Sequence, residues 1–424
     1  MNVLIAGGGG REHAIGHKVN QSSKLDKLFF MPGNAGTAAL GVNLNGNPEK
    51  FEDVKQHLLK HDIDMLVVGP EAPLVAGIAD FIANDEELKH VMVIGPKKAA
   101  ARLEGSKDFA KQFMNRHNIP TAAHQTFGSG DYDKAVDFLK TLKPPYVLKA
   151  DGLAAGKGVL IINGFEKACN ELKEMLAGKF GEASGSVVIE EFLTGIELSV
   201  FVLTDGKDYV LLPEAKDYKR IKEGDKGLNT GGMGAVSPVA FADSTFMKKV
   251  KSRIIEPTLT GLVKDKMPYT GFIFFGLMNV NGDPYVIEYN VRMGDPETEA
   301  VMPRLKGDLL ELFEGAAKGD LVRCKYSHNS DYAVTVMLVS KGYPEAYEKG
   351  REITGLSEAA KKHLVFHAGT KESNGKVVSN GGRVIAVTGM AGSLDDAISC
   401  TYDGVARVEF EGVTYRTDIG RDLR

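Results

Sequence analysis

Short apolar runs separated by helix-length stretches dominate the N-terminal quarter of the chain. Val3–Ala6 (VLIA), Leu28–Met31 (LFFM), Met65–Val68 (MLVV) and Val91–Ile94 (VMVI) follow one another at intervals of about 25 to 37 residues. Runs this short and this apolar read as strands buried on both faces. The intervals carry helical spacing, as in REHAIGHKV after the first run. The pattern predicts β-α-β-α-β-α-β, a parallel sheet with covering helices, over about residues 1–103. Its strands end in GGGG, PGNAG, GPEAP and GP. Four glycine-bearing turns therefore line the carboxyl edge, where open α/β sheets bind ligands.

Farther along, the period changes. Pro144–Ala150 and Val159–Ile162 read as two strands of a hairpin whose tip is Asp151–Gly158 (DGLAAGKG). Val187–Phe192, the alternating LSVFVLTDG and Pro284–Tyr289 are further strands. From about 320 the pattern is β alternation: Tyr332–Ser340 and Arg383–Thr388 read as strands, Val405–Phe410 as a third. Ser393–Thr401 reads as a short helix with Ser393 as its N-cap, and Glu372–Gly382 as a loop or hairpin end.

At roughly 150 residues per domain, 424 residues suffice for two to three domains. An apolar share of 43% and a charged share of 25% argue against a disordered or coiled-coil chain. The formal net charge of −4 lacks the field that nonspecific binding to nucleic acid or an anionic membrane needs. Cys169, Cys324 and Cys400 lie far apart without metal-ligand spacing, which fits a reducing compartment. No run approaches the ~18 apolar residues of a membrane span. The N-terminal MNVLIAGGGGREH reads as a first strand rather than a signal peptide. A soluble, cytoplasmic chain is expected. The 49 glycines change the picture most, because they cluster where backbone turns tightly or approaches a ligand.

The first cluster fails the dinucleotide fingerprint. Glu12 or His13 stands at the third glycine position, and the second strand ends LFFMPG without an acid. Two readings stay open: a phosphate or small-ligand loop to which Arg11 adds a cation, or a tight turn. DGLAAGKG is not a P-loop. Asp151 stands where glycine is required, Gly158 where Ser or Thr is required, and a strand follows instead of a helix. The hairpin either covers a polyphosphate with Lys149 and Lys157 or carries a solvated lysine. Glu190 and Glu191 end a strand, as a solvated edge or as acceptors for an adenine amino group and ribose hydroxyls. Asn229–Ala235 (NTGGMGA) reads as a loop throughout. Glu288 and Asn290, two apart on a strand, face one side. They form either a hard-oxygen pair for Mg²⁺ against phosphates or the polar face of an edge strand. Arg292 joins them if the strand persists.

Together, GGGGREH at Gly7–His13, PGNAG at Pro32–Gly36, GPEAP at Gly69–Pro73, KADGLAAGKG at Lys149–Gly158, NTGGMGA and EYNVRMGDPETE at Glu288–Glu299 resemble the ATP-grasp ligases, most closely the phosphoribosylamine–glycine ligase branch. GGRV, ending at Val384, extends the resemblance over nearly the whole chain. It implies a PreATP-grasp, Rossmann-like α/β domain (1–103), a two-lobed ATP-grasp module (104–320, flap about 121–192) and a C-terminal β-rich domain (321–424).

The resemblance also implies roles. Lys107 and Lys149 would meet the α- and β-phosphates, and Gly152, Gly156, Lys157 and Gly158 would belong to the flap. Glu190 and the Leu193 backbone would meet adenine, Glu197 would hold the ribose, and Glu191 would also belong to the ATP site. Glu288 and Asn290 would hold magnesium, or manganese. The carboxylate that many relatives carry on the preceding strand is expected at Met278. Arg292 and Asp295 would be catalytic. Gly9, Arg11, Glu12, Glu71, Asp217, Gly231, Gly232 and Arg383 would contact substrate. The implied activity joins glycine to 5-phosphoribosylamine in purine biosynthesis, with ATP as co-substrate and a glycyl phosphate intermediate. A monomer is expected. Another ATP-grasp ligase or transformylase, or a noncatalytic nucleotide-binding protein, remains an alternative at this level.

Overall fold

The structure, a computed structural model, describes residues 1–153, 158–181 and 185–424. Gly156 and Lys157 lie outside the described residues. The four apolar runs of the N-terminal quarter form strands Asn2–Gly7, Lys27–Pro32, Met65–Val68 and Met92–Ile94. All pair in parallel in one sheet, and a two-residue strand, Val42–Asn43, adds to the edge beyond Lys27–Pro32. Both residues of that edge strand are exposed, so no apolar run announces it. Alternate residues of the central strand feed two cores: Leu4 and Ala6 on one face, Val3 and Ile5 on the other.

Both cores continue past this sheet. The first face packs with Leu198, Val200, Ile273 and Phe275, the second with Phe201, Leu203, Phe272 and Phe274. These residues belong to a four-stranded antiparallel sheet, in the order Tyr209–Leu211, Ile196–Thr204, Gly271–Val280, Asp283–Asn290. The α/β sheet and this sheet therefore share continuous hydrophobic packing, which holds their facing edges in register across the site. A separate core around Leu148, Leu172, Val187 and Ile189 fills a lobe built on strands His124–Gly128, Ser186–Glu190, Tyr146–Ala150 and Val159–Ile162. The hairpin read over Pro144–Ile162 is the antiparallel pair at one edge of that lobe's sheet.

The C-terminal sheet runs Lys216–Asp217, Gly234–Ser237, Tyr332–Ser340, Arg383–Ala391, Leu364–His367, with Val413–Thr414 paired to Tyr332–Ser340. Two mid-chain segments have crossed into it. NTGGMGA is consequently not a loop throughout: strand Lys226–Asn229 takes its first residue and Gly234–Ser237 its end. Gly234 lies so close to the next strand that a Cβ would sit 2.6 Å from the Thr335 carbonyl.

Two further expectations are corrected. Val405–Phe410 is not a strand. The helix capped by the Ser393 side chain runs Leu394–Val405, because Ala397, Thr401 and Val405 keep its buried stripe going. Beyond it, Glu409 makes one isolated bridge to Thr354. The strand carrying Glu288 ends at Asn290, so Arg292 lies beyond it. Among the described residues, no helix is long and apolar enough to cross a membrane.

Candidate active site

The first glycine turn is shaped around a buried carboxylate. Glu12 is 2% exposed. Its Oε2 accepts the Gly9 N–H at 2.6 Å and its Oε1 meets Arg11 Nε at 2.7 Å. A Cβ on Gly7 would come within 2.6 Å of the Glu12 side chain, and one on Gly69 within 2.1 Å. A Cβ on Gly8 would strike the Gly33 carbonyl at 2.5 Å, and one on Gly10 would strike Glu299 Oε1 at 2.2 Å. Glycine is thus required here by protein contacts, while the same edge opens into a cavity of about 310 Å³ bordered by Gly7, Gly8, Gly9, Arg11, Glu12 and Asp295.

Three arginines from three parts of the chain converge beside that cavity. Arg11 Nη1 and Arg292 Nη1 both donate to the Met293 carbonyl at 3.2 Å. Arg292 Nη2 lies 2.8 Å from Glu104 Oε1, and its Nε 3.4 Å from Glu71 Oε2. Arg383 Nη2 lies 2.8 Å from Asp295 Oδ1, and its Nη1 donates to the Asp295 carbonyl at 2.7 Å and to the Gly231 carbonyl. Gly231 and Gly232 are small for a reason: a Cβ would press on Arg383 at 3.0 Å or on Pro296 at 2.4 Å. Burial opposes the charge on Arg11, but Glu12, Asp295 and Glu71 hold it protonated more firmly than usual. Burial likewise raises Glu71, and Arg292 and Arg11 more than reverse this, so its carboxyl titrates below the usual range.

A second set of charges lies on the lobe side. Lys149, 4% exposed, sits 2.8 Å from Glu190 Oε1 and donates to the Ile287 carbonyl at 3.2 Å. Glu190, 3% exposed, also meets Lys111 Nζ at 3.0 Å, and Lys111 donates to Thr121 Oγ1 at 2.8 Å. Two buried cations around one buried anion leave a net positive charge, which suits a polyphosphate. Burial pushes Lys111 down to about 8, against the pull of Glu190. Lys111 went unnoticed in the sequence; the available signal is a lysine among Ala110, Phe113 and Met114, the buried residues of its helix. Lys107 opens that helix and donates to the Gly152 carbonyl at 3.2 Å. Gly158 closes the hairpin by accepting the Ala150 N–H at 2.8 Å.

Two of the other expected nucleotide contacts, Glu191 and Glu197, have protein partners. Glu191 is exposed, and its Oε1 accepts the Ala123 N–H at 2.8 Å, tying two strand ends together. Leu193 is half-buried. Glu197 Oε2 lies 2.9 Å from Lys219 Nζ, and Asp217 Oδ2 lies 3.9 Å from the same atom. Burial pushes Asp217 up to about 7; Lys219 opposes this, and Glu297, Glu197 and Glu288 add to it.

The pair expected to hold metal lies two residues apart on one strand, with Glu288 opposite Gly276 and Asn290 opposite Phe274. The expectation at Met278 is therefore corrected. Met278 pairs with Tyr285 and Glu197, and the residue facing Glu288 is Gly276, where a Cβ would lie 3.1 Å from Glu288 Cγ. A bulge between Gly276 and Leu277 shifts the register, which residue counting from the sequence does not reveal. Among the described residues no group of three His, Cys, Asp or Glu is arranged to hold a metal ion. Glu288 and Asn290 still suit magnesium, which is held by one or two protein oxygens and keeps its waters and substrate phosphates. The Asn290 amide nitrogen is buried without a partner, so exchanging its oxygen and nitrogen loses no hydrogen bond at that atom.

Comparison with known proteins agrees with this arrangement. Models of the phosphoribosylglycinamide synthetase family match residues 1–104 (N domain), 105–298 (ATP-grasp (A) domain) and 333–422 (C domain). The chain is 45% identical over 427 residues to a phosphoribosylamine–glycine ligase of Chlorobaculum tepidum, covering 99% of each. It is 44% identical over 426 residues to a bifunctional purine biosynthetic protein of Pichia angusta, covering 99% of this chain but 53% of that one, about half its length. A solved phosphoribosylamine–glycine ligase from Thermotoga maritima superposes with a TM-score of 0.85 at 38% identity, covering 99% of this chain and 100% of that one. The chain belongs to the phosphoribosylglycinamide synthetase family.

Proposed function

We propose that the chain is an ATP-dependent ligase that joins glycine to 5-phosphoribosylamine, giving glycinamide ribonucleotide, ADP and phosphate. The observation that carries this is the position of Arg292. Its guanidinium is tied through Glu71 and the Met293 carbonyl to the cavity edge that holds Arg11. The strand that ends two residues before it carries Glu288 and Asn290. One cation thus stands between a phosphate-binding set and a pocket for a second substrate.

Glycine's carboxylate is a poor electrophile. One of its oxygens attacks the γ-phosphorus of ATP, ADP leaves, and the carboxyl becomes an acyl phosphate. The amine nitrogen of phosphoribosylamine then attacks the acyl carbon, loses a proton, and expels phosphate that carries the former carboxylate oxygen. Lys107 and Lys149 neutralise and place the polyphosphate. Arg292 stabilises the transferred phosphoryl group. Arg11, Asp295 and Arg383 place the phosphoribosyl substrate beside it. Glu288 and Asn290 would hold magnesium or manganese, which when bound neutralises phosphate charge.

We divide the chain into three units, 1–103, 104–320 and 321–424, with a flap subdomain at about 121–192 that has its own core. We place the chain in the cytoplasm as a monomer, in line with its three free cysteines. Release of ADP that requires both glycine and phosphoribosylamine tests the reading. ADP release that ignores glycine contradicts it.

A further inference from the structure

Glu104 has no role in the scheme above, yet it is one of the few carboxylates sealed inside the molecule. It lies one residue from the end of helix Lys98–Gly105, with its side chain 6% exposed. Both oxygens are used, and both by one stretch of chain. Oε2 accepts the Val291 N–H at 2.7 Å. Oε1 lies 2.8 Å from Arg292 Nη2. A single carboxylate therefore fixes the backbone immediately before Arg292 and the tip of the Arg292 side chain. With both ends held, the intervening side-chain torsions have little freedom.

The other partners of Arg292 hold it less firmly. Glu71 reaches Nε at 3.4 Å from a side chain that is 32% exposed. The Met293 carbonyl accepts from Nη1 at 3.2 Å. Neither gives the short, buried, charge-assisted contact that Glu104 gives. The contact also spans two parts of the fold, since the helix of Glu104 follows the last strand of the parallel sheet and Arg292 follows the last strand of the antiparallel one. Burial of this carboxylate opposes its charge. Placing an acid here is costly unless the contact with Arg292 is wanted.

We infer that Glu104 is a positioning residue for the reaction: it holds the Arg292 guanidinium in the orientation that meets the transferred phosphoryl group. The inference rests on the ligase reading, and it assigns Glu104 no contact with substrate. An arginine left to swing about its long side chain misplaces its charge by an ångström or more, and misplacement of that size costs about 100-fold in rate.

The test is Glu104→Gln, measured beside the parent enzyme and in a double-mutant cycle with Arg292→Gln. Glutamine keeps an acceptor for the Val291 N–H and the side-chain volume, and loses the negative charge toward Arg292. Expected is a fall in kcat of about 10- to 100-fold, with the KM for ATP within about threefold of the parent, measured well below the variant's unfolding midpoint. Glu104→Asp should recover part of the loss. In the Arg292→Gln background, Glu104→Gln should cost less than twofold, because the group it acts through is gone. The inference is overturned if Glu104→Gln keeps full kcat, if it raises only KM, or if its effect is equally large with and without Arg292. Parent enzyme without glycine-dependent ADP release would instead refute the ligase reading, so the two failures are distinguishable.

Discussion

Gly69→Ala tests whether the glycines of the first sheet exist to accommodate Glu12. Gly69 follows strand Met65–Val68 and donates its N–H to the Ala6 carbonyl at 2.9 Å. A Cβ would lie 2.1 Å from Glu12 Oε1 and 2.6 Å from its Cγ and Cδ. The backbone is pinned, so the carboxylate must move. Glu12 then gives up the Gly9 N–H at 2.6 Å, the Arg11 contact at 2.7 Å, or both. Each is a charge-assisted bond worth about 1.5–3 kcal/mol. The expected loss is about 2–5 kcal/mol in urea denaturation. The KM for phosphoribosylamine should rise as well, because Gly9 and Arg11 border the cavity. Gly130→Ala is the control. No atom lies within 4 Å of its Cβ position, and the smaller conformational freedom of alanine in the unfolded chain favours folding by about 0.4–1 kcal/mol. A Gly69→Ala protein as stable as its parent, with unchanged KM, would refute the reasoning.

Other outcomes follow from the same geometry. Glu288→Ala should abolish turnover while ATP-analogue affinity, followed by fluorescence titration, changes far less; full turnover contradicts the metal assignment. Lys111→Met removes one of two cations from Glu190, so the KM for ATP should rise about tenfold, as expected from losing a charged contact worth ~1.5 kcal/mol, and a KM within twofold of the parent contradicts the role. His13 Nδ1 accepts the His367 N–H at 2.8 Å, and burial pushes His13 down to about 3 and His367 to about 4. Below about pH 6.5 the unfolded chain takes up protons that the folded one refuses. Stability is therefore fully present above that pH and lost as pH falls toward 4, by up to ~1.4 kcal/mol per unit for each histidine. His13→Asn keeps an acceptor and should halve that slope in pH-scanned thermal unfolding; an unchanged slope counts against it.

Local pattern made the parallel sheet legible. Runs such as MLVV are buried on both faces and need no distant partner to be recognised, and strand Met65–Val68 spans the residues read for it. The pairing of Glu288 with Asn290 was legible for the same reason, since period-two alternation is local. What stayed hidden depends on contacts far apart in the chain. Glu104 in ARLEGSK carries no local signal, because its partners Val291 and Arg292 lie far along the chain. The crossing of Gly234–Ser237, and with it Lys216–Asp217, into the C-terminal sheet depends on Tyr332–Ser340, which pairs with Gly234–Ser237 about a hundred residues later, and no local spacing encodes that. At Val405–Phe410, VARVEF alternates like a strand, but its first residue completes the buried stripe of the preceding helix and packing decides in favour of the helix. At Gly276 a bulge broke the residue count.

The central claim is that this site activates glycine's carboxylate by phosphorylation. Turnover with glycine labelled by ¹⁸O in both carboxylate oxygens, ATP and phosphoribosylamine, followed by mass analysis of the released phosphate, tests it most directly. One ¹⁸O atom in each phosphate is the expected result; phosphate free of label, released together with glycinamide ribonucleotide, would contradict the account.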